Sequence, residues 1–122
     1  MGDFNAEWAS KGYALVVVVS KTTFDHNGEE ARTHSFDTGA AWENLALEAA
    51  SRDLVAHGMQ GFDYNKARDE LDVPEGFEVE AMIAIGSKGD ESDLDEDFRV
   101  EPNGRKAIDE IVTRGGFDFE QE

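Results

Sequence analysis

The chain has 122 residues, no cysteine, and 28 Asp plus Glu against 11 Lys plus Arg, a formal net charge of −17 with a pI near 4.3. Its length suits one domain, 1–122, with a single core, and the missing cysteine excludes disulfides and thiolate metal sites. So acidic a surface repels nucleic acid and anionic lipid. The acids run from Asp3 to Glu122 rather than forming one tail, and eight phenylalanines with clear periodicities argue against disorder. Adaptation to high salt, where self-repulsion is screened, is the preferred explanation over an ordinary acidic protein.

Asp3 to Ser10 reads as a short helix with Phe4 and Trp8 on one side, ended by Gly12. Tyr13 to Val19 is a continuous β-branched run, predicted as a strand covered on both faces. It is the longest apolar run and far too short to span a bilayer. No basic apolar leader precedes it, so a cytoplasmic protein without membrane contact is expected. Lys21 to Phe36 is polar, with Asp25, Asn27 and Gly28, and reads as a loop.

A helix follows, with Asp37 or Thr38 as candidate N-cap and an end near Arg52. It is rich in small residues, Gly39, Ala40, Ala41, Ala46, Ala49 and Ala50 among them, and Trp42 with Leu45 widens its apolar face. Such a helix is predicted to be largely buried in a core or a dimer. Asp53 falls where the chain must leave the helix and is a candidate for left-handed backbone. Leu54 to Ala56 leads into the glycine loop Gly58-Met59-Gln60-Gly61, which can bring backbone N–H groups to a flat ligand.

Asp63 is a second N-cap candidate, opening a short third helix that carries Ala67 and Leu71 and is stopped by Pro74 and Gly76. Phe77 to Ile85 alternates, with Phe77, Val79, Ala81, Ile83 and Ile85 on one face and Glu78, Glu80, Met82 and Ala84 on the other. It is predicted as a strand. Gly86 to Asp97 is an acidic loop, and Ala107 to Val112 a short helical turn or strand. Three scattered histidines and acids without EF-hand spacing give no metal site, and no phosphate-loop or serine-hydrolase motif is present. Trp42 reads first as core packing and second as a cofactor-side aromatic.

Five segments in this order resemble the C-terminal part of the FMN-dependent nitroreductase family: WASKGYALVVVV, FDTGAAWENLALEAA, LVAHGMQGFD, VPEGFEVEAMIAIG and RKAIDEIV. The likeness runs from about Trp8 to Val112. It implies an α+β, three-layer-like fold: a mixed, mostly antiparallel sheet flanked by helices, in a half-length version. Family members also carry an N-terminal part with an Arg-x-Ser-x-Arg and a Pro-Ser…Asn…Gln-Pro-Trp motif, and neither occurs in this chain. Asp53 stands where the family usually has glycine, and Ala107 where it usually has proline.

The resemblance implies an oxidoreductase in which FMN takes hydride from NADH or NADPH and then reduces a nitroaromatic or quinone-like acceptor, in a ping-pong cycle within a homodimer. Residues His57, Gly58, Met59, Gln60 and Gly61 match the loop that lies against the flavin ring, with Gln60 and Gly61 facing N5. Arg105 matches the arginine that reaches the flavin phosphate, a role suited to its forked donors. Lys106 neighbours it, and Arg99 is a second candidate. The alternative function is a non-catalytic, truncated dimerisation module, or a half-domain that needs an N-terminal partner to bind flavin.

Overall fold

The computed structural model describes residues 3–96, 99 and 103–117. Six elements follow one another: α1 (Asp3–Ala9), β1 (Ala14–Lys21), α2 (His34–Ser51), β2 (Val55–Met59), α3 (Tyr64–Glu70) and β3 (Phe77–Gly86). The strands form an antiparallel sheet in the order β1-β3-β2. Helices flank it, as the sequence implied. On one face Ala9 of α1 packs with Met59 and Ala84, joined by Trp8 and Met82. On the other, α2 lies over β1 and β2.

β3 lies at the centre of the sheet, and Val79, Ile83 and Ala84 are all buried along it. Its alternation breaks once. Val18 lies opposite Ala81 and Val19 opposite Val79, so Glu80 has no opposite residue on β1. This bulge reverses the faces. Ala81 and Ile83 face α2 while Val79 faces away, so the single predicted face from Phe77 to Ile85 is divided in two.

β1 begins one residue later than predicted and runs two further, to Lys21. It is not covered on both faces. Leu15, opposite Ala84, and Val19 stay 45% and 40% exposed, because the seven residues of α1 reach only the β2–β3 side of their layer.

α2 starts at His34, three residues before the first predicted cap, and Thr33 at its N-cap makes no side-chain capping bond. Thr38 instead donates to the carbonyl of His34 at 2.7 Å. Within one chain the helix is not largely buried. Only Ala49 is buried, with His34, Thr38, Trp42, Leu45 and Ala46 half-buried in one stripe, while Phe36 and Leu47 are 79% and 60% exposed. One sheet can cover only one stripe of a helix.

Asp53 is left-handed, with φ 58°, and Asp72 at the end of α3 is too, with φ 49°. In both, the next residue's N–H reaches back five residues, Leu54 to Ala49 and Val73 to Arg68, each at 2.9 Å. These are Schellman closures with aspartate where glycine is usual. Asp63 caps α3 as predicted, accepting from Lys66 N–H at 2.9 Å. Ile108–Glu110 is a turn of 3-10 helix. Among the described residues no helix is long and apolar enough to cross a membrane.

Candidate functional site

β2 runs to Met59, so His57, Gly58 and Met59 are strand residues rather than loop, and the chain leaves the sheet only at Gln60. Phe62 N–H then donates to Gln60 C=O at 3.0 Å, a γ-turn centred on Gly61. Among the described residues the Gly61 N–H has no hydrogen-bond partner. An exposed donor at a strand tip is a ready contact for a ligand acceptor.

The strand alternation sends the predicted site residues to opposite faces. His57 and Met59 lie on the α1 side. Met59 is buried with Ala9 and Ala84, and the Trp8 ring meets the His57 ring edge-on at 5.0 Å. Gly58 lies on the α2 side, where a Cβ would stand 3.4 Å from the Trp42 indole. Trp42 is therefore packing for Gly58, which fits the first reading of that residue. At Gly61 a Cβ would meet Asn5 Nδ2 at 2.8 Å. That atom is the end of a flexible side chain, so the contact shows that Asn5 lies close over Gly61 rather than that glycine is required there.

Two clefts flank β2. One, of about 340 Å3, is lined on the α1 side by Trp8, Lys11, His57, Ile85 and Lys88. The other, of about 180 Å3, lies beneath α2 and is lined by Ser35, Thr38, Trp42, Gly58, Glu80 and Ile83.

Arg105 is exposed, and among the described residues its guanidinium bonds only the carbonyls of Asn103 and Gly104, at 3.3 and 3.1 Å. No described contact joins it to β2. Lys106 is exposed, and Arg99 donates to Leu94 C=O at 2.8 and 3.0 Å. No group of His, Asp or Glu able to hold a metal ion occurs among the described residues. In the acidic loop, Asp90 accepts from the hydroxyl and N–H of Ser92 at 2.7 and 2.9 Å, and these bonds hold its carboxyl below the usual range.

One polar cluster escaped the sequence reading. The bulge turns Glu80 towards α2, where Ser20 and Ser35 donate to its Oε1 at 2.6 and 2.7 Å. His34 Nδ1 lies 3.4 Å from the same oxygen and 2.8 Å from Ser20 Oγ. Burial pushes the Glu80 carboxyl up. The two hydroxyl donors and the charge and hydrogen bond of His34 outweigh it and hold the group below its ordinary value of 4.5. Arg68 is a second unforeseen tie, donating to the carbonyls of Val73, Pro74 and Phe77 and so fixing α3 to the start of β3.

An antiparallel sheet with a helix layer on each face, and a glycine turn offering a free amide at one strand end, is the frame in which the resemblance placed a flavin. The nitroreductase family profile matches residues 2–87. The chain belongs to the nitroreductase family. A solved oxidoreductase containing FMN is 37% identical, with a TM-score of 0.90 over 98% of this chain and 63% of its own. The chain thus spans less than two thirds of that protein's length. An uncharacterised 15.4 kDa protein of Mycolicibacterium smegmatis is 33% identical over 114 residues, 88% of this chain and 74% of its own. A nitroreductase family protein of Clostridium difficile 630, 16% identical over 92% of this chain and 68% of its own, shares the fold with a TM-score of 0.59.

Proposed function

We propose that the chain is an FMN-dependent NAD(P)H oxidoreductase of nitroreductase type, working as a homodimer in the cytoplasm on nitroaromatic or quinone-like acceptors by ping-pong hydride transfer. The unpartnered Gly61 amide at the tip of β2 carries the reading, because the ring edge of a flavin presents acceptors to such a donor. When bound, FMN supplies the hydride chemistry. The chain's own part is recognition. Gln60 and Gly61 hold the ring edge, His57, Gly58 and Met59 keep that edge in place, and Arg105 neutralises the phosphate. The family match and the likeness to an FMN-containing oxidoreductase support this assignment.

The second reading is a non-catalytic module that binds flavin only with a complementary N-terminal segment. Its support is that no described contact brings Arg105 to β2. A titration separates the two. Purified in molar salt, the chain should carry yellow flavin or bind added FMN at micromolar concentration, followed by flavin absorbance and fluorescence quenching. Absence of both leaves the module reading.

A further inference from the structure

We infer that Trp8, Trp42 and Asn5 are positioning residues that clamp the tip of β2, so that its amide donors are fixed before any ligand arrives. The inference rests on the flavin reading for the purpose of the clamp, not for its existence. β2 has only five residues and pairs with β3 along one edge. A short strand held on one side, running into a γ-turn, is the kind of segment that opens first.

Here it is gripped residue by residue. The edge-on ring of Trp8 holds His57, at 5.0 Å and 90°. The indole of Trp42 lies against Gly58, where two ring atoms come within 3.5 Å of a would-be Cβ. Met59 is buried between Ala9 and Ala84. Asn5 closes over Gly61. Trp8 and Asn5 come from α1 and Trp42 from α2, so the grip acts from both layers and resists displacement towards either. Apart from that of Met59, each contact spends an aromatic or amide side chain on a position that is glycine or exposed. The two tryptophans of the chain both serve this one strand.

Donors fixed in advance stabilise developing charge without a reorganisation cost, which is the advantage such a clamp confers on a flavin edge.

Amide hydrogen exchange by NMR on the full chain without ligand, combined with FMN titration, tests the clamp. In Trp42→Leu the β2 amides that bond β3, and that of Phe62 in the turn, should exchange about tenfold faster relative to that of Ile83, whereas general destabilisation would speed them all together. The FMN Kd should rise about tenfold and the visible flavin band should shift. Asn5→Ala, which leaves the apolar core untouched, should speed exchange at Phe62, whose N–H closes the turn onto Gln60 C=O, and serves if Trp42→Leu does not fold. Unchanged exchange at the tip in both variants, or an equal rise at Ile83, overturns the clamp. Should the parent chain fail to bind FMN while the tip amides respond as stated, the clamp stands and the flavin reading falls.

Discussion

Asp53 and Asp72 each hold left-handed backbone at a helix end, a geometry that costs an L-residue roughly 1 kcal/mol and places a negative charge at the negative end of the helix dipole. Replacing either by glycine removes both penalties, so Asp53→Gly and Asp72→Gly should each stabilise the fold by about 1 kcal/mol in urea unfolding. Asp53 was legible from its place after a long periodic run. Asp72 was not, because Pro74 and Gly76 offered a nearer explanation for the helix stop. At Arg105 the expected outcome concerns binding. Arg105→Gln should weaken FMN about tenfold, the scale of one charge-assisted bond, while leaving riboflavin, which lacks the phosphate, unaffected in the same fluorescence titration. At the core, Ile83 is 1% exposed, and Ile83→Ala should cost about 2–5 kcal/mol.

At the scale of elements, the start of α2 is tied to the sheet by a side chain from another strand rather than by its own cap. Ser20 on β1 and Ser35 on α2 converge on Glu80, which the β3 bulge delivers. The only charged group the described contacts bring to face it is His34. The folded carboxyl is held below 4.5, so the unfolded chain binds its proton first as pH falls. The stabilisation is therefore fully present above about pH 4.5 and is lost as pH drops through the depressed folded value. Melting temperatures taken from pH 6 to pH 3 should fall for the parent chain, and Glu80→Gln should flatten part of that slope. A flat parent profile, or an unaltered slope in the variant, removes Glu80 from this role. Periodicity could not show the cluster, since a bulge inserts one residue without any composition signal of its own.

For the whole molecule, the described core is small. Five of the eight buried apolar residues described are alanines, so this chain by itself buries a thin core. In the proposed homodimer, a second copy on the open side of α2 would add apolar burial. Sedimentation in molar KCl should give a mass near twice 13.5 kDa, and a monomer at all concentrations would exclude the homodimer. The charge of −17 leads to a separate expectation: the melting temperature should rise from low to molar KCl as self-repulsion is screened, and a constant value would remove the salt-adaptation reading. The sequence by itself located five of the six elements, and its ordered motifs carried the family and through it the mostly antiparallel fold, because hydrophobic period, caps and motifs are local properties written along the chain. Only the tertiary structure decided that the glycine segment is mostly strand, that Glu80 turns to α2, and that two tryptophans meet one strand tip. Those depend on register and on which layer lies above each face, and a single slipped residue reverses them.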